Sequence, residues 1–221
     1  MPERSSSRPP AEALTPPLRQ IRAVFDARTV RVYQAFSPHI AEPALATQRF
    51  VAPFKRERMT WIKPSFLWMM YRAGWGRKPG QERILAIDIL RSGCEQALDW
   101  SALSHYVPDL YGTHEAWQLA VKRAPVRIQW DPERGLSHQP LPYRSLQCGL
   151  RGPAVAAYVD EWIQRIEEVT PDAQRIEALV AESRTLAGDA KRETLADIDS
   201  LLPAELPYPL PPELAARIGA S

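Results

Sequence analysis

The sequence predicts an α+β fold: a single domain in which a mixed, mostly antiparallel β-sheet, continuous or split, is flanked by helices. Strand-like segments at residues 29–35, 83–90, 126–130 and 144–150 are separated by helical segments of uneven length, which does not fit a regular βαβ series. A chain of 221 residues with 45% hydrophobic residues is long and apolar enough for one sizeable core.

Three segments divide the chain. Residues 1–17 are rich in Ser, Pro and charge, which predicts a disordered leader. Residues 18–170 are predicted to form the α+β core domain. Residues 171–221 contain helical patterns broken by prolines and are predicted to form a C-terminal helical extension.

The first strand and the first helix of the core follow each other directly. Residues 29–35, TVRVYQA, alternate and are rich in β-branched side chains, which predicts a strand. Ser37 is the expected N-cap of the next helix, and Pro38 is its first residue. The apolar side chains expected to form its buried stripe are Ile40, Ala44 and Leu45.

The central segment, residues 54–83, combines basic and aromatic side chains. It holds three of the seven Trp residues, and eight Lys and Arg residues against two Glu residues. An extended stretch over residues 59–63 precedes a helix that Pro64 opens and Gly74 ends. This helix is apolar on nearly all sides, which favours a core role for Trp68. The cations cannot be explained in this way, because burying an unpaired charge is costly.

The second half of the core alternates strands and helices. RILAIDIL, residues 83–90, is the clearest strand, and Ser92 is predicted to cap a helix through Trp100. The further predicted elements are a helix over 114–122, a strand over 126–130, a turn over 131–135, a strand over 144–150, an amphipathic helix over 154–169 and a helix from 170 to about 186.

Positive charge is concentrated in the first part of the chain. Before Asp160 there are 22 Lys and Arg against 13 Asp and Glu, whereas the remainder has 6 against 13. This asymmetry predicts a basic body that meets an anion. Aromatic side chains beside the cations suit flat rings. A nucleotide or nucleic acid is therefore the predicted partner.

Several classes of protein are excluded by what the sequence lacks. It has no glycine-rich dinucleotide motif, phosphate-binding loop, zinc-protease motif or nucleophile elbow. Its four His and two Cys are scattered without metal-ligand spacing, so no metal is predicted. No apolar run is long enough to span a bilayer and the N-terminus has no hydrophobic signal core. The expected location is therefore cytoplasmic, with no membrane partner.

Polar side chains in or beside the strands are the candidate site residues. They are Arg31, Tyr33 and Gln34 on the first strand; Arg58, Trp61, Lys63 and Ser65 around the central helix; Gln129, Asp131, Glu133 and Arg134 at the third strand; and Arg144, Ser145 and Gln147 on the last. A structural interpretation stays open for each. Asp131 and Glu133 could form a turn and pair with Arg134, and Arg144 and Gln147 could lie on a solvated strand face.

Five segments carry a resemblance to a known family over residues 21–169. They are IRAVFDARTVRVYQAFSPHIAEPAL, FKRERMTWIKPSFLWMMYRAGWG, QERILAIDI, VRIQWDPERG and PLPYRSLQCGL. These long, specific segments resemble the family of domain of unknown function 4291. The family name states no activity, so the resemblance implies a fold boundary.

The order of the parts also resembles the ADP-ribosyltransferase fold, which binds NAD across a split sheet. This resemblance implies an NAD-dependent transferase that modifies a nucleotide, nucleic-acid or protein acceptor. The catalytic residue it implies is Glu133, with Gln147 next, although the chain lacks the usual H-Y-E or R-S-E set. The residues it implies for holding NAD are Arg31, Tyr33, Gln34, Arg58, Trp61, Lys63, Ser65 and Arg144.

Two other functions fit the same residues. One is a noncatalytic nucleotide- or nucleic-acid-binding module with a basic aromatic cleft. The other is a different transferase or hydrolase of a phosphorylated small molecule. All three functions require side chains from separate segments to meet in one positively charged cavity.

Overall fold

The computed structural model of the protein describes residues 16–221. The β-strands are β1 (Arg22–Ala23), β2 (Thr29–Phe36), β3 (Thr60–Ile62), β4 (Arg83–Leu90), β5 (Ser101–Leu103), β6 (Val126–Arg134), β7 (Pro140–Leu150), β8 (Ile163–Glu168) and β9 (Leu206–Pro207). The α-helices are α1 (Pro38–Thr47), α2 (Phe66–Ala73), α3 (Arg91–Asp99), α4 (Pro108–Tyr111), α5 (His114–Arg123), α6 (Pro153–Ala157), α7 (Thr170–Ser183), α8 (Gly188–Leu201) and α9 (Pro212–Ile218). The predicted leader, residues 1–17, lies outside the described residues apart from its last two.

The strands form two main sheets that are linked at their edges. β2, β4 and β8 form an antiparallel sheet with β4 in the centre. β3, β7, β6 and β5 form a second sheet, which is antiparallel except for the β5–β6 pair. A bridge between Tyr33 and Lys63 joins β2 to β3. The predicted α+β class is therefore confirmed, and the sheet is split.

The alternation predicted for residues 83–90 is confirmed, and it places β4 between two apolar clusters. The side chains that face the larger cluster are Leu85, Ile87 and Ile89, and those that face the smaller cluster are Ile84 and Ala86. All five are buried, and each Leu or Ile among them contributes about 2 kcal/mol of transfer free energy. The rest of the fold packs on both faces of this strand.

The helix α2 ends where the sequence predicts, and it begins at Phe66, two residues after the predicted start at Pro64. Ser65 is its N-cap, and the Ser65 Oγ accepts a hydrogen bond from the Trp68 N–H at 3.1 Å. Gly74 ends the helix with a φ of 57°, a conformation that glycine adopts without a Cβ clash. Because α2 follows β3 almost directly, the cap at Ser65 also helps to fix the residues between the strand and the helix.

The amphipathic helix predicted over residues 154–169 is confirmed as far as Trp162 and is wrong beyond it. α6 ends at Ala157, a π-helical turn continues to Trp162, and the chain then forms β8. The apolar spacing before Trp162 is helical, as predicted. β8, however, is stabilised by hydrogen bonds to β4, which lies far earlier in the chain. Local periodicity does not report such a long-range pairing.

The turn predicted over residues 131–135 is also wrong. β6 continues through these positions to Arg134, with a register irregularity between Pro132 and Arg134. The turn follows at Gly135, whose N–H donates to the Gln139 carbonyl at 3.0 Å. A strand accommodates proline, which lacks an N–H, at such an irregularity. Composition alone therefore favoured a turn where the chain forms a bulged strand.

The junction of β4 and α3 corrects the predicted helix cap. α3 begins at Arg91, so Leu90 occupies the N-cap position and Ser92 lies within the first turn. The Arg91 N–H donates to the Arg28 carbonyl at 2.9 Å. The strand passes into the helix without a capping side chain.

The residues after position 170 pack on the rest of the protein. Ile176 of α7 and Ile198 of α8 lie in the smaller cluster, and β9 pairs with β1. The C-terminal side chains in the larger cluster are Tyr208, Leu214 and Ile218. None of the helices in the described part of the chain combines the length and the apolar character needed to span a bilayer.

Candidate functional site

A cavity of about 500 Å³ lies beside the junction of the two main sheets, and we call it the cleft. Its walls come from the end of β2, from β3 and the residue after it, from α2, from the loop before β4 and from β7. Small-molecule sites have roughly this size. Four of the ten predicted site residues line the cleft: Gln34, Trp61, Lys63 and Gln147.

Lys63 is the central charged group of the cleft. Its side chain is only 5% exposed, and its Nζ lies 4.9 Å from the centroid of the Trp68 ring. Within residues 16–221 it has no ion pair and no side-chain hydrogen bond. Burial, and then the charge of Arg72, lower the pKa of Lys63 to about 8. An unpaired buried cation costs free energy, which indicates a site for an anionic ligand.

Arg72 is a second cation at the cleft, and it was not among the predicted site residues. It lies in the last turn of α2, is exposed, and has no carboxylate partner in the described part of the chain. Trp68 lines the cleft from one helical turn earlier. The signal in the sequence is this spacing, because residues four apart share one helix face.

Two indole rings face the cleft. Trp68 is buried, as its predicted core role requires, yet it also forms part of the wall. Trp61 is partly exposed and lies across Gly149 of β7, its partner in the sheet. A Cβ at Gly149 would lie 2.8 Å from the Trp61 Cη2. The absence of a side chain at this position therefore lets the indole lie flat against the sheet.

Gln34 lies on the cleft wall, but its amide links the two sheets. Its Nε2 donates to the Thr60 Oγ1 at 2.7 Å and to the Trp61 carbonyl at 3.0 Å. Its Oε1 accepts from the Tyr158 hydroxyl at 2.8 Å. Both donors and one acceptor of the amide are thereby used. Gln34 holds the cleft open as part of the scaffold.

The side chain of Gln147 is hydrogen-bonded to the carboxylate of Asp131. The Gln147 Nε2 donates to the Asp131 Oδ2 at 2.9 Å, and the Gln129 Nε2 donates to the Asp131 Oδ1 at 2.9 Å. Burial raises the pKa of Asp131, although the hydrogen bond from Gln129 acts in the other direction. The Oε1 of Gln147 has no hydrogen-bond donor within residues 16–221 and is available as an acceptor.

Glu133 and Ser65 contact each other away from the cleft. The Ser65 Oγ donates to the Glu133 Oε1 at 2.9 Å, and the Arg134 N–H donates to the same oxygen at 2.8 Å. Both Glu133 and Ser65 are buried, and burial raises the pKa of Glu133. The structure therefore places the predicted catalytic Glu133 at the N-terminus of α2, where a carboxylate stabilises a helix, because β6 is bulged just before it.

Arg31 and Tyr33 also lie outside the cleft. Arg31 faces Asp88 across the β2–β4 pair, and its Nε and Nη2 donate to the two Asp88 carboxylate oxygens at 2.8 and 2.9 Å. This hydrogen bonding raises the pKa of Arg31. Tyr33 is buried edge-to-face against Phe66, with ring centroids 5.5 Å apart, and burial raises its pKa. Both side chains are used in packing the three-stranded sheet.

Arg144 and Arg58 complete the predicted set. Arg144 lies on the face of β7 opposite to Gln147, and its Nη1 donates to the Trp130 carbonyl at 2.9 Å. Arg58 is exposed and lines a second cavity beside the cleft. The structure thus brings Trp61, Lys63 and Gln147 together as available polar and aromatic groups, and it does not bring Arg144 or Arg58 to the same cavity.

Comparison with known proteins adds a family. The model of the family described as Domain of unknown function (DUF4291) matches residues 20–208, which extends the predicted boundary at residue 169 through α7, α8 and β9. No curated protein matches the chain. Within the described residues, no three His, Cys, Asp or Glu side chains come together as a group that could hold a metal ion.

Proposed function

The chain belongs to the family Domain of unknown function (DUF4291), and we propose from the cleft that it is an ADP-ribosyltransferase-like enzyme which takes NAD as its donor. The observation that carries the proposal is the buried, unpaired Lys63 in a cavity walled by two indole rings. A ligand with phosphates and flat rings matches a cation and aromatic rings in one cavity.

The phosphates of the dinucleotide would meet the two cations. The Lys63 Nζ has no partner among the described residues, so phosphate oxygens would supply the hydrogen bonds that it lacks. Arg72 offers its planar guanidinium at the rim, where bidentate contact with a phosphate is favoured. Because neither Lys63 nor Arg72 is paired with a carboxylate in residues 16–221, no ion pair has to be broken before phosphate binds.

The rings of the dinucleotide would stack on the exposed part of Trp61. This indole is held flat by its contact with Gly149, so little side-chain freedom is lost on stacking. Stacking of a base on an aromatic side chain contributes about 1–3 kcal/mol. The Lys63 side chain lies over the Trp68 ring and leaves Trp61 as the available surface.

The reaction breaks the bond between nicotinamide and the ribose C1′. Nicotinamide leaves with the bonding electron pair, the acceptor atom forms a new bond to C1′, and the acceptor releases a proton to water. Positive charge develops on the ribose, and the Asp131 carboxylate behind Gln147 would stabilise it. The Gln147 Oε1 would accept a hydrogen bond from a ribose hydroxyl and thereby orient the sugar.

Incubation with NAD labelled in nicotinamide tests the proposal. The wild-type protein should release nicotinamide, and Lys63→Met should lower kcat/KM by about 10- to 100-fold, the effect of losing one hydrogen bond to a charged group. The matched control is Lys122→Met, because Lys122 is exposed on α5 and lines no part of the cleft. The absence of nicotinamide release from wild type, with any acceptor supplied, would contradict the enzymatic assignment.

A noncatalytic nucleotide-binding module is the second candidate. It is favoured by one observation: no Asp or Glu among the described residues lines the cleft directly. Titration calorimetry with NAD and with AMP separates the two candidates. A binding module gives heat of binding, weakened by Lys63→Met, without nicotinamide release.

A further inference from the structure

A second cavity of about 310 Å³ adjoins the cleft, and we call it the side pocket. It shares Phe36, Met59 and Thr60 with the cleft wall, so a molecule in one cavity lies against the wall of the other. Its remaining walls include Ile40 and Phe54. The shared wall is apolar and partly aromatic, which suits the face of a flat ring.

Two cations stand at the side pocket without partners. Lys55 and Arg58 are exposed, and neither has an ion pair or a side-chain hydrogen bond within residues 16–221. The neighbouring Arg56 differs, because its guanidinium donates to both carboxylate oxygens of Asp160. Pairing of Arg56 with Asp160 anchors the loop, whereas Lys55 and Arg58 stay available to a ligand.

Packing of three Phe rings supports the loop that carries Lys55 and Arg58. Phe50 is buried and stacks on Phe54, with ring centroids 4.6 Å apart and an angle of 26° between the rings. Phe36 packs edge-on against both rings. The apolar wall is therefore held in place by packing before any ligand binds, and the two cations lie on the loop beside it.

We propose that the side pocket is the acceptor subsite of the enzyme proposed above, on which this inference rests, and that its occupant is an unstacked base of a single-stranded nucleic acid. The base would enter the apolar pocket, and the flanking phosphates would contact Lys55 and Arg58. A base nitrogen then forms the bond to the ribose C1′ as nicotinamide leaves with the bonding electron pair, and the proton of that nitrogen passes to water. An ionised terminal phosphate oxygen would form the same bond without releasing a proton.

The combination of ring-binding wall and unpaired cations decides the class of acceptor. An acidic peptide would satisfy Lys55 and Arg58 but would leave the aromatic wall without a flat partner. A duplex presents its phosphates but keeps its bases stacked, so it would not fill the pocket. A single strand offers both groups at the spacing of one nucleotide.

Binding of a fluorescein-labelled single-stranded oligonucleotide of roughly ten nucleotides tests the proposal by anisotropy over a range of salt concentrations. Lys55→Glu should weaken binding about tenfold and lower the slope of log K against log salt by about 0.7, as expected for one phosphate contact. Ile40→Trp, which fills the pocket without changing charge, should weaken binding about tenfold at an unchanged slope. Circular dichroism checks that both variants fold.

Lys122→Glu is the matched control, since it makes the same charge change at an exposed position on α5 away from both cavities. It should change affinity by less than about twofold. Equal losses in Lys55→Glu and Lys122→Glu would show diffuse electrostatic attraction and would overturn the proposal. So would normal oligonucleotide binding by Ile40→Trp, or transfer of ADP-ribose to protein alone.

The same variants separate this inference from the proposed function. Without oligonucleotide, water can act as the acceptor, and this hydrolysis of NAD to nicotinamide should be unchanged in Lys55→Glu and Ile40→Trp, because neither residue lines the cleft. If wild type releases nicotinamide but Lys55→Glu and Lys122→Glu weaken oligonucleotide binding equally, the acceptor subsite is contradicted and the proposed function is not. If Lys55→Glu and Ile40→Trp weaken oligonucleotide binding but wild type releases no nicotinamide, the transferase function is contradicted and the side pocket remains a nucleic-acid site.

Discussion

Cations on the three-stranded sheet and cations in the cleft are treated in opposite ways by the fold. Arg31 makes two hydrogen bonds to Asp88, and the Arg83 Nη1 donates to both carboxylate oxygens of Glu168 at 2.8 and 3.0 Å. Lys63 and Arg72, at the cleft, have no carboxylate partner in residues 16–221. The positive charge of the first pair is neutralised within the protein. The charge of the second pair remains available to a ligand.

The difference teaches that strand register, and not the number of cations, decides where a charged site lies. Arg31 is neutralised because it falls opposite Asp88 in the β2–β4 pair. Lys63 follows β3, and the carboxylate of Asp131, whose charge acts on Lys63, already accepts hydrogen bonds from Gln147 and Gln129. A buried cation without a partner is costly, and such groups concentrate at functional sites.

The largest effect is expected from Lys63→Met, which removes the buried cation that has no carboxylate partner in residues 16–221. NAD affinity should fall by about 100-fold, since a charge-assisted contact to phosphate is lost. The free energy of unfolding at pH 7 should not fall, because an apolar chain replaces a buried ammonium. Titration calorimetry and urea unfolding measure the two quantities. A large loss of stability at unchanged affinity would assign Lys63 to the scaffold.

Arg31→Met removes the Arg31–Asp88 ion pair and should lower stability while leaving NAD affinity unchanged. The free energy of unfolding should fall by about 2 kcal/mol, because Asp88 keeps its charge after losing its partner. NAD affinity should match that of wild type, since Arg31 lies outside the cleft. Urea unfolding measures the stability and titration calorimetry measures the NAD affinity, with Lys122→Met as the control. A loss of affinity at normal stability would restore the role in NAD binding that the sequence predicted.

The pH dependence of binding sharpens the comparison. The fold lowers the pKa of Lys63 from the ordinary value of 10.5 to about 8. NAD affinity in wild type should therefore fall roughly tenfold above about pH 8, as the ammonium loses its proton. Calorimetry between pH 7 and about pH 9.5 should show this fall in wild type and a flat profile in Lys63→Met. A flat wild-type profile would contradict the lowered pKa.

Stability should change with pH in the other direction. Between about pH 8 and pH 10.5 the unfolded chain holds a proton on Lys63 that the folded protein has lost. The unfolded state therefore binds more protons, and the contribution of this group to stability rises with pH across that window. The difference in unfolding free energy between wild type and Lys63→Met should shift in favour of wild type as pH increases.

The smallest effect is expected from Gly149→Ala, which disturbs the aromatic wall without touching a charge. The added Cβ would lie 2.8 Å from the Trp61 Cη2, so the indole must move. Affinity for NAD should fall about fivefold, a part of one stacking contact. In a Trp61→Ala background the same substitution should have no further effect, because the shared contact is already gone. Additive losses would show that Gly149 acts elsewhere.

Part of the site could be predicted because local pattern and position agree. Trp61 and Lys63 lie on either side of Ile62 in the stretch that was predicted to be short and extended, and both line the cleft. Arg72 was missed because a cation in an apolar helix does not reveal which face it occupies. Only the spacing from Trp68 indicates it.

The catalytic assignment shows where local pattern stops. Composition favoured a turn at residues 131–135 that included Glu133, and the resemblance to the ADP-ribosyltransferase fold implied that Glu133 was catalytic. The bulge in β6 instead places Glu133 against Ser65. Asp131, two positions earlier, is the carboxylate that reaches Gln147.

The sequence by itself determined the alternation of residues 83–90, the C-terminal end of α2 and the presence of a basic, aromatic central segment, because these depend on neighbours within a few positions. Tertiary structure decided that β8 is a strand, that Arg31 is neutralised and that Lys63 is not. Those outcomes depend on pairing between strands far apart in the chain, and strand register is set by the whole core.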